Sequence, residues 1–204
     1  MAIADRLVTL HSAWASGNQL PPPGMQRITG KVKINGQEAR DRMSINDGDT
    51  ITTGKNSEAI YVIGNDAYLQ RDESVVTITG GTLKGGLQIL TGKLMSVFGK
   101  GDKHIITSTA TIGIRGTGCY IEATAERVYF CLCYGKADVT SIHEPSHSET
   151  IETSYHDNPV YLHANGEKMM VPADVINHTD SELILLESLV GRVPPFYGQS
   201  NLRY

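Results

Sequence analysis

The sequence predicts a mostly β fold with a short helix at each end. Sixteen of the 21 glycines fall between Gly30 and Gly135. Between them run short segments rich in Ile, Val, Thr and Tyr, such as Lys31-Val32-Lys33-Ile34, Ala59-Ile60-Tyr61-Val62-Ile63 and Ser74-Val75-Val76-Thr77-Ile78-Thr79. Asn35-Gly36, Asp47-Gly48, Gly80-Gly81 and Gly85-Gly86 supply turns between them. Short strands with turn signals every ~8–12 residues indicate an all-β barrel, sandwich or solenoid. No strict repeat is visible, which weighs against a regular solenoid.

The ends follow a different period. Ile3, Leu7, Leu10 and Trp14 form the apolar stripe of a short helix, with Gly17 as its stop and Pro21-Pro22-Pro23-Gly24 as a stiff linker. Near the other end, Thr179 and Glu182 match a capping box, and Leu183, Leu186, Leu189 and Val190 continue as a helical stripe ended by Gly191 and Pro194-Pro195. The expected organisation is therefore 1–25 as an N-terminal helix and proline-rich linker, 26–140 as a β domain, and 141–204 as a C-terminal extension with a helix near 179–191. Residues 1–140 carry 15 basic and 13 acidic side chains, and residues 141–204 carry 3 and 9. The acidic extension either docks on the weakly basic body or is simply solvated. Pro194-Pro195-Phe196-Tyr197 is expected to wrap back onto its own chain.

Composition removes several functional classes. Hydrophobic residues make up 40% and charged residues 20%, so the chain is not disordered by composition. A net charge of −4 argues against a nucleic-acid module, and no apolar run approaches the ~18 residues of a membrane span. There is no Gly-x-Ser-x-Gly, His-Glu-x-x-His or phosphate loop, so the expectation is a protein that is not an enzyme.

Four pieces of the chain form an ordered set: Gly48-Asp49-Thr50-Ile51-Thr52-Thr53-Gly54 with Ser57 and Ala59; Ile89-Leu90-Thr91-Gly92-Lys93-Leu94; Ile105-Ile106-Thr107 leading through Ala110 and Ile112 to Arg115-Gly116-Thr117; and Tyr134-Gly135-Lys136-Ala137-Asp138-Val139. Together, over residues 28–140, they resemble the FecR domain, the periplasmic β domain of ferric-citrate regulators. The resemblance implies a β roll or solenoid-like domain without a catalytic centre, and a periplasmic or secreted location. No secretory signal is visible in Met1-Ala2-Ile3-Ala4-Asp5-Arg6. The sigma-regulator role is not carried over, because no span and no cytoplasmic anti-sigma segment is recognised. Arg115-Gly116-Thr117 reads as a ligand patch or as a tight turn whose arginine anchors loop carbonyls.

The unusual feature is Cys131-Leu132-Cys133. Residues two apart in a strand share a face, with Cα atoms about 6.6 Å apart. That spacing suits two ligands of one metal and strains a direct disulfide. In the FecR pattern the core positions fall at Val128, Phe130 and Leu132, which turns Cys131, Cys133 and Tyr129 to the other face. Residues 141–204 can cover that face and bring His143, His147, His156, His163 and His178. His156 lies in a turn and His178 just before the capping box. Thiolate and imidazole together favour zinc, iron or copper. The expected site is Cys131, Cys133, His156 and His178, with Asp157 behind a histidine, as a mononuclear tetrahedral ion or a Rieske-type iron–sulfur cluster. Such a site would serve redox or metal sensing, or electron transfer. Packed inert thiols or a disulfide are the alternatives, and with them a structural module that binds a protein partner through a sheet edge or the acidic extension. Pro145 argues against a helix that would pair His143 with His147. Cys119 faces Cys131 if the hairpin turn at 124–126 has three residues, and lies on the other face if it has two.

Overall fold

The computed structural model describes residues 20–80, 85–164 and 170–199. The expected helix over Ile3–Trp14 lies outside these residues. The described chain forms one sheet of fourteen strands and one helix. The strands are β1 Gly24–Thr29, β2 Val32–Ile34, β3 Gln37–Glu38, β4 Thr50–Thr53, β5 Glu58–Ile63, β6 Asp66–Gln70 and β7 Val75–Thr79. They continue with β8 Gly86–Val97, β9 Lys103–Ile106, β10 Ala110–Ala123, β11 Arg127–Ser141, β12 Ser148–Thr153, β13 Val160–His163 and β14 Met170–Pro172, followed by helix α1 Asp180–Leu189.

Neighbouring strands run in the order β14-β13-β11-β10-β9-β8-β7-β4-β2-β3, with β1, β5 and β6 branching from β8 and β12 lying against β11. The sheet is open, not a closed barrel. β8 and β9 are parallel and the other pairs antiparallel. Three long strands, β8, β10 and β11, change partners along their length. β8 pairs β7 up to Thr91 and β6 from Leu94 to Val97. Between them Gly92 has φ +100°, and a Cβ there would come within 2.4 Å of Ser74 backbone. Only glycine allows the two strands this close at the switch.

Alternation along the strands sends side chains into two cores. One face carries Ile51, Val76, Ile89, Ile112, Ile121, Phe130 and Val139 into the main core. The opposite face of β5, β6, β8, β10 and β11 presents Ile60, Leu69, Met95, Tyr120, Tyr129, Cys131 and Cys133 to a second core, which α1 and Phe196 complete.

The capping box forms as the sequence indicates: the Thr179 hydroxyl accepts from Glu182 N–H, and Thr179 N–H donates to the Glu182 carboxylate at 2.9 Å. Gly191, at φ +71°, ends the helix. Leu183, Leu186 and Leu189 are buried as expected, and Leu185 is buried with them, whereas Val190 packs against the same core only in part. Val190 is the C-cap, with φ −116°, so it leaves the helical period and stays half-buried. Phe196 wraps back and is buried against Tyr134 and Tyr155, whereas Tyr197 is exposed. Two polar contacts, one buried and one part-buried, orient α1. Tyr134 donates to Glu187, which also holds Arg192 at 2.6 Å, and Arg71 of the β body donates to Glu182 at 2.6 Å.

Leu186→Ala should lower stability by about 2–5 kcal/mol, the range for a fully buried leucine truncated in a core. Val190→Ala should cost clearly less. Urea unfolding of both variants measures the difference.

Candidate metal centre

The four side chains reach the second core from a strand, a turn and a helix start. Cys131 is on the covered face of β11 by alternation, paired across the sheet with Tyr120. Cys133, two residues on, is there by the same alternation, and a bulge follows at this point. Gly118 pairs Tyr134 and Cys119 pairs Leu132, so Cys133 has no residue opposite it in β10. An extra residue of this kind re-aims its neighbours. Cys133 and Tyr134, although consecutive, both enter the second core. The Cys133 carbonyl accepts from the His156 backbone N–H at 3.0 Å, which ties the 154–158 turn to the strand. His156 itself sits at φ +47°, in the left-handed region. His178 precedes the Thr179 cap, so the start of α1 sets its position.

The four ligand-capable atoms lie within 4.8 Å of one another, and all four residues are buried. Cys131 Sγ is 3.5 Å from His156 Nδ1, Cys133 Sγ is 3.6 Å from His178 Nε2, and the two nitrogens are 3.1 Å apart. A tetrahedral ion with sulfur at about 2.3 Å and nitrogen at about 2.0–2.1 Å sets sulfur–nitrogen edges of about 3.5–3.6 Å. The same geometry sets a nitrogen–nitrogen edge of about 3.3 Å.

The outward nitrogens determine what the inward ones can do. His178 Nδ1–H donates to the Ile176 carbonyl at 2.6 Å, and His156 Nε2–H donates to the Asp180 carboxylate at 3.2 Å. These bonds occupy the outer nitrogens, so it is His178 Nε2 and His156 Nδ1 that face the centre, and in the neutral form of each ring that nitrogen carries the lone pair. Asp180 also accepts from Tyr155 O–H at 2.7 Å, and the His178 ring stacks on Tyr120 with centroids 4.7 Å apart. A hydrogen bond from Cys133, aided by the two histidines and opposed by burial, holds the Cys131 sulfur well below the usual thiol range. Burial, with the charge of Cys131, pushes Cys133 the other way. The thiolate is the form that binds metal, and the surroundings of Cys131 favour it.

The structure thus brings together Cys131, Cys133, His156 and His178. It does not bring in the other candidates. The hairpin closes from Thr124 N–H to the Arg127 carbonyl around Ala125-Glu126, a two-residue turn, so Cys119 opposes Leu132 and enters the main core. His143 and His147 lie in the exposed loop between β11 and β12, where His147 meets Glu144 at 3.5 Å. All three cysteines are unbridged. The carboxylate that meets the His156 ring is Asp180, not Asp157. Asp157 accepts from Thr153 O–H at 2.6 Å and from the N–H groups of Ser154 and Tyr155, which folds the turn. Arg115-Gly116-Thr117 is a bulge opposite Gly135, in which Arg115 is exposed near Asp138 and Thr117 is buried.

No protein-family model matches the chain, and no curated protein matches it. Among solved structures, two crystal structures of a candidate anti-sigma factor from Parabacteroides distasonis resemble it, with TM-scores of 0.51 and 0.50 at 13% and 12% identity. Each match covers 61% of this chain and 59% of the other. The likeness is one of fold.

Removing residues 173–204 should leave Cys131 and Cys133 open to a thiol reagent and Cys119 protected, because Cys119 points into the other core. Mass spectrometry after alkylation should show none of the three cysteines labelled in the intact protein and two of three in the truncated one.

Proposed function

We propose that this is a non-enzymatic regulatory β protein in which one metal ion, held by Cys131, Cys133, His156 and His178, fastens the C-terminal segment to the sheet. The observation that carries the reading is the pair of inward nitrogens 3.1 Å apart, the other nitrogen of each ring being hydrogen-bonded away from the centre. Two lone pairs at that distance repel unless a proton or a cation lies between them. The contacts to both sulfurs make a metal cation the fitting occupant.

The donor set and spacing favour zinc. Two thiolates and two imidazoles in a closed tetrahedron are a structural zinc arrangement, with no position left for a substrate. A Rieske-type cluster would place the thiolates on one iron and the imidazoles on the other. Two irons would hold each sulfur well beyond the 3.5 and 3.6 Å that separate it from its nearest imidazole nitrogen here. In this reading the centre senses metal, and its loss is signalled by release of α1 and of the chain around Phe196.

The regulatory part rests on two supports: the FecR-like segments and the fold shared with a candidate anti-sigma factor. Both suggest a protein partner, of which a sigma factor is one kind. The match spans 59% of that chain, so its activity comes to this one only as part of the proposal. No helix among the described residues is long and apolar enough to cross a membrane. Location outside the cytoplasm belongs to the same proposal and would be read by cell fractionation.

Protein purified without chelator should carry one ion per chain, measured by elemental analysis. Cys131→Ser with Cys133→Ser should carry none. Cobalt in place of the native ion should give the intense visible bands of a tetrahedral thiolate site. Wild-type protein with no ion and freely titrating thiols would defeat the reading. Asp180→Asn should weaken binding about 10–100-fold, as loss of a carboxylate behind a ligating histidine does. Acid should release the ion, since protons compete for the thiolates and imidazoles.

A further inference from the structure

Helix α1 keeps all its charges in buried contacts. Asp180, Glu182 and Glu187 are its charged residues, and all three are buried. Asp180 accepts from Tyr155 O–H, Glu182 holds Arg71 and Glu187 holds Arg192. The side turned away from the leucines is a strip of Ser181, Ile184, Ser188 and Gly191, spaced three, four and three apart and so on one face. Ser181 and Gly191 are exposed, Ile184 and Ser188 are half-buried, and Ser188 Oγ is turned back onto the Leu185 carbonyl at 2.6 Å. A helix that faces water ordinarily carries its charged side outward. Here that side is an uncharged lane of small residues with one isoleucine in it.

Apolar surface continues past the end of the lane. Among the described residues, three of the six exposed large apolar side chains, Leu20, Val193 and Tyr197, belong to the two stretches of chain that meet at Gly191. A Cβ on Gly191 would lie 3.0 Å from Leu20 Cδ2, so Leu20 already rests on the last residue of the lane. The residues just before Leu20 carry the apolar stripe Ile3, Leu7, Leu10 and Trp14. At the helical rise this stripe is about 16 Å long, and the lane from Ser181 to Gly191 about 15 Å. Five residues separate Trp14 from Leu20, which holds Trp14 within about 20 Å of the Gly191 contact. A tether this short keeps the stripe at a local concentration that a free partner does not reach.

We propose that residues 1–19 lie along this lane, with Ile3, Leu7, Leu10 and Trp14 turned onto Ile184 and onto the apolar edge of Leu20, Val193 and Tyr197. The helix that covers the second core is then strapped from outside by the other end of the chain. The inference does not require the ion.

Trp14 is the single tryptophan and reports on the lane directly. The test is its fluorescence in the full chain as purified, with acrylamide as the quencher and N-acetyltryptophanamide as the free reference. Emission to the blue of the reference is expected, with quenching severalfold slower. Ser188→Arg places a long cation in the middle of the lane, at a helix end where positive charge is favourable. It should move the emission to the red and speed quenching severalfold, with the far-ultraviolet circular dichroism unchanged. Should Ser188→Arg fail to fold, Val193→Lys on the exposed edge decides, with a change in the same direction. Trp14 behaving as the free reference in the unaltered chain would overturn the proposal. So would protection that persists in the folded variants. Protection that appears only as the protein concentration rises would assign the lane to a second copy of the chain, and would overturn it too.

Discussion

Two imidazole nitrogens face each other at the join between the sheet and the C-terminal segment. His178 Nδ1 is bound to the Ile176 carbonyl and His156 Nε2 to Asp180, which leaves the other two ring nitrogens 3.1 Å apart. Three elements of the second core meet here. The bulge at Cys133 frees a carbonyl for the His156 backbone, alternation along β11 delivers Cys131, and the capped start of α1 delivers both His178 and Asp180. Sheet, turn and helix each contribute a group that would be poorly accommodated in an apolar core by itself. Together they form the set that, in the proposed reading, one cation would satisfy.

Local signals in the chain anticipated a large part of this. Glycine turns and β-branched runs indicated the strands, and Thr179-to-Glu182 indicated the helix start. The order of apolar residues at Val128, Phe130 and Leu132 implied that Cys131 and Cys133 share the opposite face, and they do. The four grouped residues could be named because cysteines two apart and histidines at a turn and a cap are positions that local geometry restricts.

What was not legible depends on pairing between distant segments. Asp180 follows the Thr179 cap and reads as an ordinary acidic first-turn residue, favourable toward the helix dipole. Nothing in its neighbourhood indicates that it meets His156, 24 residues earlier. Asp157 is adjacent to His156 in sequence, yet its carboxylate is used by the turn it closes. The side of Cys119 hung on the length of one turn, where a change of one residue reverses every side chain along a strand. The bulge that lets both Cys133 and Tyr134 point one way has no signature of its own. Gly116, Gly118 and Gly135 around it look like any other glycines of a β protein until the register is known.

The cover over the centre has a kinetic meaning. α1 places Leu183, Leu185, Leu186 and Leu189 on the second core, and Phe196 closes the side next to His156. An ion bound there has no open path to solvent through the described residues, so exchange requires the helix and the following chain to lift as a unit. Such sub-global openings are rare excursions whose frequency falls steeply with the apolar area they expose. Occupancy would then lag behind the surroundings. The molecule would carry a record of the metal available when it folded, and that record would be erased at the rate at which one short helix comes away.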